Sequence, residues 1–341
     1  MTIRILVADD SLTVRHALVQ LLSAQPGLVI VGQAADGVEA VEKARALRPD
    51  VITMDVNMPR LDGLGATAAI MQDAPARVLV ICSVSEDRQL DLSFKAMAAG
   101  ALELIAKPAA GPQALRKWGE RVAESVRLMA EVPVVRRSLP GARLMPMTPY
   151  STVEMVGLVA STGGPPALAQ ILQGLGDLCA PLLIAQHIAD GFTAGLVRWL
   201  GSVTRLEVEA ARDGEKPVPG RVYLAPDGCD LLIDAASLLR TPPGVALHRP
   251  SGNRLLHSLA TQYGRRAAGF VLTGMGDDGA QGLLALRLAA GQTFAQDEAT
   301  SVVYGMPQAA FACGAAQQQV ALENVPAILQ QLCGVRRPVK E

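Results

Sequence analysis

Aromatic residues make up only 3 % of this 341-residue chain, and its formal net charge is −1. That balance excludes a base-stacking platform and a broad phosphate-binding surface, so nucleic acid is not an expected partner. Five cysteines, Cys82, Cys179, Cys229, Cys313 and Cys333, include no CxxC pair; a disulfide framework or zinc knuckle is therefore unsupported, and buried thiols are expected. No stretch offers about 18 uninterrupted apolar residues, which argues against a membrane span. Met1–Asp10 (MTIRILVADD) turns acidic after an apolar run too short for a secretory signal, so a cytoplasmic location is expected. Histidine is scarce too, with only His16, His187, His248 and His257. Apolar residues, by contrast, reach 50 %, enough for two globular domains with separate cores.

Residues 1–110 alternate short apolar runs with helical periodicity. Strands are expected at Ile3–Ala8, Leu28–Ala34, Val51–Met54, Val78–Cys82 and Ala101–Ile105, with an amphipathic helix carrying Leu12, Ala17, Leu18, Leu21 and Leu22 between the first two. Such a pattern predicts a doubly wound α/β domain with a parallel sheet, whose chemistry sits beyond the carboxyl ends of the strands. The polar residues there are Asp9 and Asp10, Asp55, Ser83 and Lys107. Carboxylates converging in one crevice call for a hard cation, and Mg²⁺ suits an oxygen donor set. Taken singly, the Asp9 and Asp10 pair reads equally well as a helix cap and Lys107 as a surface residue. Helical spacing at Leu115, Trp118, Val122, Val126 and Met129 closes this region, and Val132–Pro149, with four prolines and no sustained period, reads as a linker.

A second, larger α/β region follows, with strands expected at Met155–Ala160, Leu182–Ala185, Val222–Ala225 and Phe270–Thr273. Ser161 stands just beyond an apolar strand and is followed, after Thr162, by Gly163 and Gly164 at a helix start. A serine at such a junction reads as a nucleophile, and the glycines clear space for backbone N–H groups to face an oxyanion, although a tight turn alone also uses them. His187, after the next strand, is a candidate base, and Asp277 or Asp278 a candidate orienting carboxylate; either aspartate also reads as the cap of the helix that follows. The order Ser, His, Asp and the presence of Val159 where a glycine is required disfavour the α/β-hydrolase fold. A metal-dependent hydrolase is disfavoured because no second histidine or acidic cluster flanks His187 at ligand spacing.

Three motifs, Val7–Ser11 (VADDS), Asp50–Leu64 (DVITMDVNMPRLDGL) and Ala101–Pro108 (ALELIAKP), resemble the receiver domain of a response regulator. The resemblance implies that Asp55 accepts a phosphoryl group from a histidine kinase, that Asp9, Asp10 and Asp55 hold Mg²⁺ with the backbone carbonyl of Asn57, and that Lys107 contacts the phosphoryl group. It also places Cys82, with Ser83 one step beyond, where the family carries a switch Ser or Thr, and Leu104 where an aromatic switch is common. A thiol is a weak donor, so transmission through this position is expected to differ.

The second region resembles the catalytic domain of the chemotaxis protein-glutamate methylesterases, through Ala160–Gly164 (ASTGG), Gln186–Thr193 (QHIADGFT), Arg212–Glu215 (RDGE), Pro219–Pro226 (PGRVYLAP), Leu272–Gly279 (LTGMGDDG) and Ala295–Pro307 (AQDEATSVVYGMP). The resemblance implies Ser161 as nucleophile, His187 as base and then acid, and Asp278 as the orienting carboxylate. Thr162, Gly163, Gly164 and the backbone N–H of Met275 would shape the pocket and the oxyanion region. The expected organisation is a receiver at 1–125, a linker at 126–151, a catalytic domain at 152–335 and a tail at 336–341. The implied reaction is hydrolysis of glutamate γ-methyl esters on chemoreceptor cytoplasmic domains, with deamidation of receptor glutamines, needing no cofactor in the esterase and restrained by the receiver until Asp55 is phosphorylated. Two stretches depart from the family: Asp227–Asp230 (DGCD) replaces a glycine-rich turn, and Gly252 and Asn253 replace Val-Asp. Both are expected to line a flank away from the three catalytic positions. A receptor-binding scaffold without activity would leave three aligned catalytic loops unexplained, and a DNA-binding output lacks a basic recognition helix.

Overall fold

A computed structural model of the chain describes residues 2–83, 87–108, 111–131, 152–245 and 249–333. They form two compact units, one within residues 1–139 and the other within 140–341. Residues 132–151 of the expected linker, and the tail at 336–341, lie outside the described residues.

The five apolar runs of the first unit become β1 (Ile3–Ala8), β2 (Leu28–Ala34), β3 (Val51–Asp55), β4 (Arg77–Cys82) and β5 (Glu103–Ala106). Between and after them lie α1 (Leu12–Ser23), α2 (Gly37–Leu47), α3 (Gly63–Asp73), α4 (Asp87–Ala98) and α5 (Pro112–Glu131). Strand order is β2-β1-β3-β4-β5, and every pair is parallel because each crossover contains a helix. Ile5–Ala8, Val51, Ile52, Met54 and Val78–Cys82 are fully buried, as continuous apolar strands require when both sheet faces are covered. Ser11, Asp36 and Asp62 start α1, α2 and α3 by accepting the N–H groups of Val14, Glu39 and Gly65. Helix α5 runs through residue 125 without a break to Glu131, since Trp118, Val122, Val126 and Met129 keep one of its faces buried.

The second unit holds a seven-stranded parallel sheet in the order β14-β13-β12-β6-β7-β9-β8. Its strands are β6 (Met155–Ala160), β7 (Leu182–Gln186), β8 (Glu207–Ala210), β9 (Arg221–Leu224), β12 (Ala267–Val271), β13 (Gln292–Gln296) and β14 (Gln318–Val320). A short antiparallel pair, β10 (Leu232–Ile233) and β11 (Leu239–Arg240), stands apart from it. The helices are α6 (Gly164–Gln173), α7 (Thr193–Val203), α8 (Gly252–Gln262), α9 (Ala280–Leu288), α10 (Met306–Ala312) and α11 (Val325–Cys333). Chain direction across the sheet reverses at β6, which has β7 on one side and β12 on the other. The crevice at its carboxyl end is where a doubly wound sheet accommodates a ligand.

The doubly wound, five-stranded parallel sheet expected for the first unit and the larger, mostly parallel α/β domain expected for the second are the architectures observed. Strands β8, β13 and β14 were not expected: Glu207–Ala210 is a short, partly exposed edge with a glutamate at every second position, while Gln292–Gln296 and Gln318–Val320 carry glutamines that hide their pairing. Strand β12 begins at Ala267, ahead of the expected Phe270, because small residues without β-branching complete its parallel ladder with β6.

Candidate active site and acidic pocket

In the first unit, neighbouring strands β1 and β3 deliver Asp9, Asp10 and Asp55 to the point where strand order reverses. One carboxylate oxygen from each lies within 4.8 Å of the others. Lys107, the residue after β5, is tied down by its own N–H donating to the Cys82 carbonyl at 2.8 Å. Its Nζ stands 3.1 Å from Asp9 Oδ2 and 3.0 Å from Asp55 Oδ2. Burial pushes the Asp55 carboxyl up to about 6, helped by the charge of Asp9 and opposed by Lys107. Burial raises Asp9 as well, against the pull of Lys107.

Three carboxylates facing one ammonium leave uncompensated negative charge among hard oxygen donors, a set that fits Mg²⁺. The capping alternative for the two aspartates does not hold, because α1 is capped by Ser11, whose N–H itself donates to Asp9 Oδ1 at 2.9 Å. Asn57 follows in the loop after β3 with an exposed side chain. At the end of β4 the Cys82 thiol is fully buried; burial pushes it up to about 11, with a Ser93 hydrogen bond acting the other way. Ser83 is half-buried, and Leu104 is buried on β5.

In the second unit, the register Ala160↔Gln186 places Ser161 and His187 one step past the same rung of β6 and β7. The His187 N–H donates to the Ala160 carbonyl at 2.9 Å, and the Ser161 N–H donates to the Thr273 carbonyl beyond β12 at 3.0 Å. Ser161 is thus bracketed by the ends of both neighbouring strands. From the loop after β12, Asp278 reaches the histidine, with its Oδ2 2.8 Å from His187 Nε2. Asp278 is buried whereas Asp277 is exposed, and α9 starts from Gly279 without a side-chain cap, so neither aspartate serves that helix as one.

The Asp278 carboxylate sits at the N-terminus of α8. The Gly252 N–H donates to Oδ2 at 2.6 Å, the Asn253 N–H to Oδ1 at 3.0 Å, and Ser251 Oγ lies 3.3 Å from Oδ1. A helix start has N–H groups without intrahelical partners, and a carboxylate satisfies them. Burial works to raise Asp278, but His187 and these backbone donors prevail and hold it below the usual carboxylate value. The expectation that Gly252 and Asn253 lie away from the catalytic positions is therefore corrected: they touch Asp278 directly. The other altered stretch braces the same turn, because buried Asp230 accepts the Ser251 N–H at 2.7 Å and pairs with Arg254. Asp227 instead holds the start of α7, accepting from Thr193 Oγ1 at 2.6 Å.

Gly164 and Gly274, both beside the serine turn, are required by space. The Gly164 N–H donates to the Ser161 carbonyl at 2.8 Å, which closes the turn and commits that donor. A Cβ on Gly164 would come 2.0 Å from Gln186 Oε1, and one on Gly274 would come 2.6 Å from the Ser161 Cβ. Thr162 and Gly163 lie within this turn, and Met275 is half-exposed beyond Gly274. Four residues not singled out from sequence also shape the site: Gln186, Asp230, Ser251 and Thr273. Each is a buried polar residue at or beyond an apolar strand or at a helix cap. The interruption of an apolar run by a group that must find a partner was the available signal.

A family model described as CheB methylesterase matches residues 156–329, and one described as response regulator receiver domain matches residues 5–118. The chain belongs to the CheB methylesterase family. It is an enzyme of the response-regulator kind, with a receiver ahead of a methylesterase domain. A CheB relative from Myxococcus xanthus (strain DK1622), named protein-glutamate methylesterase/protein-glutamine glutaminase 3, is 55% identical over 97% of this chain and 94% of its own length. One from Anaeromyxobacter dehalogenans (strain 2CP-C), the corresponding enzyme numbered 2, is 44% identical over 97% of both chains. The crystal structure of the Thermotoga maritima CheB methylesterase catalytic domain covers 53% of this chain and 99% of its own, at 32% identity and a TM-score of 0.51.

Proposed function

We propose that Ser161, His187 and Asp278 hydrolyse glutamate γ-methyl esters on chemoreceptor cytoplasmic domains and deamidate receptor glutamines by the same route. The observation that carries this reading is the buried contact of His187 Nε2 with Asp278, one strand across from Ser161. With Nε2 engaged by the carboxylate, Nδ1 is the ring nitrogen that takes the Ser161 proton as Oγ attacks the ester carbonyl. The resulting oxyanion is received by the N–H groups of Thr162, Gly163 and Met275. His187 then passes the proton to the departing methoxide, and methanol leaves the acyl-serine. Water adds to that acyl group, His187 takes its proton and returns it to Oγ, and glutamate is released. A glutamine substrate follows the same path with ammonia as the leaving group. Asp278 stays ionised throughout and stabilises the imidazolium.

The receiver controls this reaction. Asp9, Asp10, Asp55 and the Asn57 carbonyl would hold Mg²⁺, which when bound offsets the charge of an incoming phosphoryl group. Asp55 accepts that group from a histidine kinase, and Lys107, 3.0 Å from its carboxylate, pairs with the added oxygens. Before phosphorylation the receiver restrains hydrolysis. Among the described residues no helix is long and apolar enough to cross a membrane, and the reading places the chain in the cytoplasm, where receptor tails and kinase are met. Methanol release from methylated receptor tests the chemistry: S161A abolishes it while the protein remains folded. Turnover retained by S161A would overturn the nucleophile.

A further inference from the structure

The three N–H groups assigned to the oxyanion share an arrangement that concerns what lies behind them. In a trans peptide the carbonyl and the following N–H point in opposite directions, so anchoring one aims the other. The only cis bond among the described residues is Arg249–Pro250. The Gly274 carbonyl, whose peptide carries the Met275 N–H, accepts from the backbone of Gly305 at 3.2 Å and of Met306 at 2.8 Å. The two peptides after Ser161 are held differently, by buried side chains. Gln186 Nε2 donates to the Ser161 carbonyl at 2.9 Å, beside the Gly164 N–H, and thereby sets the peptide of the Thr162 N–H. Thr273 Oγ1 donates to the Thr162 carbonyl at 2.9 Å and sets the peptide of the Gly163 N–H.

Neither side chain is free to turn. Gln186 Nε2 also donates to the His187 carbonyl at 2.8 Å, and only an amide NH₂ can serve two carbonyls at once. That orientation leaves Gln186 Oε1 buried without a hydrogen-bond partner among the described residues, a penalty that an amide placed for packing alone would avoid. Thr273 is fully buried, and its Oγ1 accepts the Val303 N–H at 2.9 Å. Its own N–H donates to Gln296 Oε1 at 2.8 Å, and its carbonyl receives the Ser161 N–H at 3.0 Å.

We propose that Gln186 and Thr273 are positioning residues that aim the Thr162 and Gly163 N–H groups at the oxyanion from behind, without touching substrate. This rests on Ser161 being the nucleophile. Donors held in this way act on charge that exists only in the transition state, so loosening them lowers kcat and leaves KM nearly unchanged.

The test uses full-length T273V, T273S and Q186M on methylated receptor, with an alkyl boronic acid as a probe that forms a tetrahedral adduct on Ser161. T273V and Q186M are expected to lose roughly 10- to 100-fold in kcat, with KM changed less than about 3-fold, and to lose boronate affinity in parallel. T273S, which keeps the hydroxyl, recovers most of the T273V loss. Unchanged kcat and boronate affinity in both folded variants would overturn the inference. So would a rate loss carried by KM that T273S does not rescue, since that pattern belongs to general disruption. If T273V does not fold, Q186M decides by the same two readouts. S161A retaining turnover and boronate binding would instead remove the nucleophile, an outcome distinct from any result at Thr273 or Gln186.

Discussion

His187 Nε2 and Asp278 Oδ2 are 2.8 Å apart, and that same oxygen receives the Gly252 N–H at 2.6 Å. The Asp278 carboxylate is thus gripped from the helix side as firmly as from the histidine side, which fixes the imidazole in one tautomer. D278N should lower methanol release by roughly 10³- to 10⁴-fold, somewhat less than S161A, because the carboxylate orients without forming a bond to substrate. D277N should stay within about 2-fold, as expected for an exposed surface charge. Comparable losses in both variants would assign the wrong aspartate.

The environment of Asp278 also enters acid stability. Its folded carboxyl titrates below the ordinary aspartate value of 3.8, so as pH falls the unfolded chain takes up this proton first. The resulting stabilisation is present above that unfolded value and is lost as pH drops through the folded one. Urea unfolding of wild type and D278N should show a stability gap at about pH 7 that narrows from about pH 5 to pH 3. A gap constant across that range would show that the carboxylate is not held in this way.

For the receiver, phosphorylation from a small-molecule phosphodonor should require both Asp55 and a divalent cation. D55N and added chelator should each abolish labelling, while D55N keeps basal hydrolysis and loses only its stimulation. Removing residues 1–130 should raise basal methanol release. A truncated chain no faster than the full one would exclude restraint by the receiver.

The thiols should divide by environment. Cys179 and Cys313 are exposed and should react first with iodoacetamide, whereas Cys82 and Cys333, pushed up to about 11 and about 12 by burial, should remain unlabelled until unfolding. Because the Cys82 value is raised above its unfolded 9.0, its contribution to stability is complete below that pH and is lost as pH rises toward about 11. C82S should flatten that part of the alkaline unfolding curve, as read from receiver melting between those two values.

The strand ends were legible in the sequence because chemistry interrupts apolar runs there: Asp55 after Ile52–Met54, Ser161 after Val159–Ala160, His187 after Ile184–Ala185. Burial makes such strands read as continuous apolar segments, which is why β6, buried along its whole length, and β1, buried from Ile5 to Ala8, stand where their sequence places them. The choice between Asp277 and Asp278 was not legible from the residues alone, since neighbours in one loop differ only in which of them the fold buries. Nor was the α8 turn legible as part of the site. Ser251–Asn253 reads as an ordinary helix start, and only the packing of α8 beside β12 and β6 gives its N–H groups a carboxylate to meet. Gln186 and Thr273 read as polar residues at strand ends, and the Ser161 and Thr162 carbonyls that they reach lie in the turn after β6, far from them in sequence.

Placing β6, the earliest strand of the second unit, at the centre of its sheet sets an order of assembly. Ser161 and His187 leave the ribosome long before their carboxylate: 91 residues separate His187 from Asp278. Until β12 has been made and laid against β6, Ser161 lacks the carbonyl that receives its N–H and His187 lacks the carboxylate that its ring meets. On the proposed mechanism, a partly synthesised chain therefore carries a nucleophile that cannot act, and hydrolysis waits until the loop after β12 closes the site.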